Sequence, residues 1–309
     1  MHKKLSLRQH KISIIGAGRL GSALARHLHK TGNSPFSLIS NKLDWLEKLS
    51  SESHPVNISK SVDDLHREST LIFLCVPDQA LTSLVQQLAQ ILFFDWQNTV
   101  ILHCSGANTT QVLAPLARLG AATAAIHPIQ TFPTLNEGSE RFSGIYWGVE
   151  ASPSLLKNVK ELVHDLGGLP VQIPTQAKAL YHLACVVSSN YLVTLVSLSS
   201  EILAGCGLPK DDAFKMMAPL IKGTLESLSW QSPELALTGP VSRGDVATIQ
   251  THLNELEEQL PHLVPVYKSL ASETLRVAVR KGSVSAQDSA LLMKLLTAAS
   301  QDPQENRNG

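Results

Sequence analysis

The sequence predicts a doubly wound α/β domain with a mostly parallel sheet, followed by an all-α domain. Three observations carry that reading. Near-continuous apolar runs alternate with amphipathic stretches up to residue 173, the pattern of strands covered on both faces of a parallel sheet. After Pro174 strand signals stop and long helical periodicities take over. A glycine-rich turn joins the first strand to the first helix, where a parallel sheet makes its first crossover.

Seven runs read as strands: residues 11–16, 36–40, 70–76, 99–104, 123–127, 145–149 and 170–173. Helical stretches at 20–31, 42–49, 78–91 and 153–166 separate most of them. Further helices are predicted over 176–205, 211–229, 245–260, 261–281 and 285–299, with Gly205, Pro209, the Thr238–Gly239–Pro240 turn, Pro261 and Gly282 as boundary signals. The first domain is therefore placed at 1–173, the second at 174–301, and a polar tail, expected to be disordered, at 302–309.

The chain has 309 residues, enough for two cores, and its 26 basic residues balance 26 acidic ones. That balance excludes a strongly basic nucleic-acid binder and an acidic disordered chain. Cys75, Cys104, Cys185 and Cys206 form no CxxC pair, which fits a reducing, cytoplasmic setting. The N-terminus has basic residues but no apolar signal core before the first strand. Residues 179–200 contain no Asp, Glu, Lys or Arg, a length that invites comparison with a membrane span. His182, Asn190, Thr194 and five Ser within it favour a helix buried among other helices.

The turn after the first strand reads Gly16-Ala17-Gly18-Arg19-Leu20-Gly21, a GxGxxG motif between strand and helix, and marks a Rossmann domain. Gly16 permits the tight turn, Gly18 lets a pyrophosphate approach the backbone, and Gly21 lets helix and strand pack closely. The helix N-terminus then offers free N–H groups to the phosphates. An NAD binder carries an acidic residue near the end of the second strand. Here that position reads Ser40-Asn41-Lys42, with no carboxylate. Ser40 and Asn41 can hydrogen-bond a 2′-phosphate and Lys42 can neutralise it, so NADP is expected rather than NAD. Lys42 reads equally as a solvated residue at a helix start. Arg19 can stack on adenine or pair with the same phosphate.

Other strand ends carry polar residues where an open α/β sheet binds ligands. Val76 and Pro77 shape a loop beside the cofactor, and Asp78 reads as a helix N-cap. Ser105 is placed to reach the nicotinamide ribose or a substrate oxygen, with Gly106 allowing close approach. His127 can act as acid or base, or as a hydrogen-bonded support for the Pro128 turn. His103, Cys104 and His127 lack the further ligands that a metal site needs, so no metal is expected.

On the first helix of the second domain, Lys178, His182 and Ser189 fall within about a 40° arc, and Asn190 flanks it by about 80° at roughly 100° per residue. A Lys and a His one turn apart on an almost uncharged helix suggest an edge facing a cleft. They read alternatively as an exposed helix start and a core His. Arg243, beside Gly244, can clamp a substrate carboxylate or bridge to a neighbouring helix or subunit. Asp245 reads as the N-cap of the next helix.

GAGRLG, VPD, HCSGA, HPIQTF, the KALYH…SSN helix and LTGPVSRGD together resemble the Rossmann-like oxidoreductases with a C-terminal domain of unknown function 2520. The layout is more broadly similar to the 6-phosphogluconate dehydrogenase-like superfamily, with β-hydroxyacid dehydrogenases, ketopantoate reductase and pyrroline-5-carboxylate reductase. The resemblance implies a helical second domain, dimerisation through it, and a nicotinamide site in the interdomain cleft. In β-hydroxyacid dehydrogenases and ketopantoate reductase a Lys on the first long helix of that domain donates the proton, with an Asn one turn later. Lys178 matches the Lys; His182 stands where the Asn would be. Two functions follow: an NADPH-dependent reductase of a small carbonyl or imine, with Lys178 or His182 as general acid, Ser105, Ser189 and Asn190 orienting the substrate and Arg243 binding an anionic group; or a non-catalytic NADP sensor or dimeric scaffold.

Overall fold

Strand β1 (Ile12–Ile15) is four consecutive buried residues, as a central parallel strand covered on both faces requires. The computed structural model describes residues 6–41, 43–55 and 57–298; Lys42 and the tail at 302–309 lie outside the described residues. After β1 come α1 (Arg19–Lys30), β2 (Ser37–Ile39), α2 (Leu43–Ser53), β3 (Asn57–Ser59), β4 (Leu71–Leu74), α3 (Asp78–Leu88), β5 (Val100–His103), α4 (Ala114–Arg118) and β6 (Ala122–Pro128). Then follow β7 (Tyr146–Ala151), α5 (Pro153–Asp165), β8 (Leu169–Gln172) and α6 (Lys178–Gly205). The remaining helices are α7 (Lys210–Trp230), α8 (Pro233–Ala236), α9 (Val246–Gln259), α10 (Val264–Lys281) and α11 (Ala286–Thr297). The doubly wound first domain and the helical region after it stand as the sequence predicts.

The sheet order is β3-β2-β1-β4-β5-β6-β7-β8. Every neighbouring pair is parallel except β6 and β7, which run antiparallel. Strand order reverses beside β1, so the C-terminal ends of β1 and β4 open the crevice where such sheets bind ligands. The short β3 is absent from the predicted strands: Asn-Ile-Ser carries no apolar run, and only its pairing with β2 makes it a strand. Asp78 is the first residue of α3 rather than its cap; Pro77 holds the cap position and makes no side-chain cap bond. Its charge at the positive helix end remains favourable.

Alternation along the strands builds two cores. Ile12, Ile14, Phe73, Leu102 and Val149 join α1 and α5 on one face, while Ile15, Ile72, Leu74 and Ile101 join α3 on the other. The same alternation puts His103, His127, Gly148 and Glu150 on the α3 face, since cross-strand partners share a face and residues two apart do too.

By contacts, the chain divides at Tyr191/Leu192, inside α6. The first unit thus takes in the sheet and the opening turns of α6, beyond the change of texture near residue 173. The second unit has its own core, in which Ile249, Leu253, Leu275, Leu292 and Leu296 pack between α9, α10 and α11. Asp245 caps α9 as its spacing predicts, accepting the Thr248 N–H at 3.0 Å.

The expectation that residues 179–200 would be buried among helices is not met. The stretch 175–205 is long and apolar enough to cross a membrane by length and composition, yet its most apolar window is not buried within the chain. Leu180 is 71% exposed, and Leu183, Val187 and Tyr191, which share its side of the helix, are each at least 50% exposed. No described element of this single chain covers that face, so the lack of charge reflects an apolar surface and not an interior helix.

Candidate active site

Gly16 adopts φ +101°, and a Cβ there would stand 2.5 Å from the Cys75 carbonyl oxygen. A Cβ on Gly21 would lie 1.9 Å from the Gly16 carbonyl oxygen. Both glycines are demanded by packing of strand, turn and helix. Gly18 differs. Its φ of −73° suits any residue, and a Cβ there meets nothing within 4 Å. The fold alone does not require glycine at this place; a group lying against the backbone would. This open cradle, at the N-terminus of α1, fits the pyrophosphate of a dinucleotide. Arg19 is exposed at the first turn of α1 and Leu20 is half-buried. Ser40 follows β2 as a buried residue, and Asn41 next to it is exposed. Val76 is half-buried against Gly16 and Pro77 is exposed.

The end of β6 and the first turns of α6 bring three side chains together beside the loop after β5. His127 Nδ1 lies 2.6 Å from the Tyr181 hydroxyl, and the rings of His127 and His182 are 6.5 Å apart between centroids. Gly106 sits between them: a Cβ there would be 2.8 Å from His182 Cδ2 and 2.9 Å from His127 Nε2. A second cut-out receives Tyr181, because a Cβ on Gly148 would be 2.6 Å from its hydroxyl oxygen. Burial first, then the Lys178 and His182 charges, push the His127 imidazole down to about 4, so it is neutral near pH 7. Burial and the neighbouring Cys185 push the Tyr181 phenol up, so it keeps its proton.

Lys178 is not at an open edge. It is 1% exposed, and its Nζ lies 3.5 Å from Glu150 Oε2 on β7. Neither atom has a hydrogen-bond partner among the described residues. The other carboxylate oxygen accepts the Thr110 N–H at 3.0 Å, the Thr110 hydroxyl at 2.8 Å and the Thr175 hydroxyl at 3.1 Å. Burial alone would raise the Glu150 carboxyl; the Thr110 donors, Lys178 and Thr175 together outweigh it and hold it below its ordinary value. Burial lowers the Lys178 ammonium against the opposing pull of Glu150. His103, in the same sheet row, is pushed down to about 4 by burial and by Lys178. Its Nδ1 accepts the Ser105 N–H at 3.2 Å, which leaves Nε2–H to donate to the Thr109 carbonyl at 3.2 Å.

Ser105 is buried and serves its own turn: its hydroxyl oxygen accepts the Asn108 N–H at 2.9 Å and the Ala107 N–H at 3.2 Å. One hydroxyl proton is left for a ligand. Ser189 is half-buried and Asn190 exposed further along α6. Arg243 belongs to the second unit, exposed at the end of a 3₁₀ turn before Gly244 (φ +71°). No group of three or more His, Cys, Asp or Glu among the described residues is arranged to hold a metal ion.

Sequence reasoning passed over Tyr181 and Glu150. A Glu at the end of the apolar run IYWGV was a signal, because a carboxylate in a covered strand needs a cation. Tyr181, set between Lys178 and His182, gave none.

The chain matches the Rossmann-like domain family over residues 2–128 and the domain of unknown function 2520 over residues 145–274. A comparison with curated proteins finds no match. Among solved structures it is similar to a candidate NADP oxidoreductase from Bacteroides fragilis, with TM-score 0.73 and 23% identity over 88% of this chain and 100% of that one. A protein of Thermotoga maritima is similar at TM-score 0.69 and 24% identity, over 88% and 99% of the two chains. A reductive aminase from Aspergillus terreus, in complex with NADPH and ethyl levulinate, follows at TM-score 0.61 and 16% identity, over 92% and 98%. At these identities the likeness establishes the fold. The chain thus joins a Rossmann-like domain to the domain of unknown function 2520 in one polypeptide.

Proposed function

We propose that the protein is an NADP-dependent oxidoreductase that transfers a hydride between NADPH and a small carbonyl or imine. One observation carries the reading: Gly18 opens onto empty space at the N-terminus of α1, in a fold that gives no other reason for a glycine there. The relatives in fold support it, one described as an NADP oxidoreductase and another holding NADPH.

In this reading Gly16, Gly18 and Gly21 cradle the pyrophosphate, with Val76 and Pro77 flanking it. Ser40, Asn41 and Lys42 meet the 2′-phosphate, and Arg19 stacks on the adenine or joins them. The nicotinamide supplies the hydride when bound. The chain's own residues do the rest: Ser105, Ser189 and Asn190 orient the substrate, His127 donates a hydrogen bond to its reacting oxygen or nitrogen, and His182 delivers the proton. Lys178, paired with Glu150 in the interior, holds α6 against β7 and is not the acid, in contrast to the resemblance-based expectation. Alignment of hydride donor and acceptor supplies most of the rate.

Titration of nucleotide-free protein with NADPH and NADH by calorimetry tests the cofactor. Tighter binding of NADPH is expected, and no heat with either would overturn the proposal. Oxidation of NADPH on adding 2-oxo acids, semialdehydes or imines tests the reaction; binding without consumption would identify a sensor instead. The exposed apolar faces of α6 and α7, with Leu180, Val193, Leu220 and Trp230 all above 60% exposure, are proposed to be covered by a second copy of the chain. Clustered exposed apolar side chains of this kind mark interaction surfaces. Light scattering after gel filtration is expected to give twice 33.5 kDa, and a monomer at micromolar concentration would reject the dimer.

A further inference from the structure

We propose that Tyr181 is a positioning residue: by donating its hydroxyl proton to His127 Nδ1, it fixes His127 in the tautomer that carries its proton on Nε2, beside Gly106. The inference rests on the reductase reading for its purpose, but the tautomer itself does not depend on that reading.

The 2.6 Å contact between the Tyr181 oxygen and His127 Nδ1 can be written with the proton on either side. A phenol is far more acidic than the N–H of a neutral imidazole, and an imidazole nitrogen is far more basic than a phenol oxygen. The proton therefore sits on oxygen and points at nitrogen. With Nδ1 accepting, the proton of a neutral ring must reside on Nε2.

The surroundings keep the ring neutral and hold it in place. Lys178 and His182 on α6, His103 on β5 and Asp78 on α3 are the charged or titratable groups that act on His127. Burial first, then Lys178, outweigh the opposing pull of Asp78. Two glycines make the room: Gly148 receives the phenol, and Gly106 leaves Nε2 within reach of a ligand instead of against a methyl group. His127 then offers a fixed N–H donor over the whole neutral range, while His182, on the other side of Gly106, is left to exchange protons. Such a preorganised donor is worth about 10²-fold or more in rate where charge develops on an oxygen.

The test is the nitrogen spectrum of histidine-labelled, ligand-free protein at pH 7. His127 is expected to show a pyridine-type Nδ1 and a pyrrole-type Nε2, and Tyr181→Phe is expected to move both signals toward the average of the two tautomers. A pyrrole-type Nδ1 in the native protein, or unmoved signals in a folded Tyr181→Phe, overturns the proposal. Should that variant fail to fold, the native spectrum decides alone. With an accepted substrate, Tyr181→Phe should lower kcat about tenfold or more and leave NADPH affinity unchanged; an unaltered kcat also overturns it. Because the spectrum needs no cofactor, failure of NADPH to bind would sink only the reductase reading.

Discussion

Gly18 and Gly21 are three residues apart and answer to different demands, so their variants should separate folding from binding. Alanine at Gly21 would press its methyl into the Gly16 carbonyl at 1.9 Å, with backbone on both sides and little freedom to yield. Overpacking of this kind costs about 1–3 kcal/mol, which in a domain of this size lowers Tm by several degrees. Valine at Gly18 meets open space and should leave Tm within about 2 °C, as unconstrained surface positions do, yet it should abolish NADPH binding by filling the pyrophosphate cradle. Differential scanning fluorimetry with and without NADPH reads both. A Gly18→Val protein that still gains stability from NADPH would place the phosphates elsewhere. At Ser40, an aspartate should turn preference toward NADH; an unchanged ratio of the two affinities would show that the 2′-phosphate lies away from β2.

The link between α6 and β7 shows how far an element can be read from its own residues. The existence of α6, its length and its missing charges are plain in the chain, because helical periodicity is local. Its environment is not local. Lys178 looks like a cleft residue on a helical wheel, and its partner Glu150 stands 28 positions earlier on another element. The same reasoning explains β3, a strand only by virtue of β2 beside it, and the unburied apolar face of α6, since periodicity reports that a face is apolar and not what covers it. The packing demands on Gly16 and Gly21 were legible because they lie within six consecutive residues. If the Lys178–Glu150 pair is structural, Lys178→Met should destabilise the protein by roughly 3–5 kcal/mol by leaving a buried carboxylate uncompensated. Adding Glu150→Gln should recover much of that loss. Urea unfolding of the single and double variants measures the recovery, and a Lys178→Met protein as stable as the native one would return the lysine to the list of candidate acids.

For the molecule as a whole, the family boundary, the contact boundary and the change of sequence texture fall at three different places. The two family matches leave residues 129–144 between them, where the sheet changes direction from β6 to β7; contacts divide the chain at Tyr191/Leu192; and strand signals end near residue 173. Sequence texture follows secondary structure, whereas compactness follows packing, and the first turns of α6 pack on the sheet through Lys178 and Tyr181. That packing buries two neutral histidines, and this should show in the pH dependence of stability. His103 and His127 are each held at about 4 in the folded protein, against about 6.5 when unfolded. Between those values the unfolded chain binds more protons than the folded one, so stability rises with pH across the window. It is fully present above about pH 6.5 and is lost as pH falls toward 4. By pH 5 each histidine accounts for roughly 2 kcal/mol of the loss. The carboxylates held low in the folded state, Glu150 and Asp245 among them, add their own loss only nearer pH 4, so the interval from pH 6.5 to 5 isolates the histidines. Urea midpoints followed through the buried Trp147 should therefore fall steadily from pH 7 to 5, and the fall should shrink by about half in His127→Gln. A midpoint that stays level across that interval would mean that the two imidazoles titrate in the folded protein as they do in water, and that the sheet and α6 do not close over them.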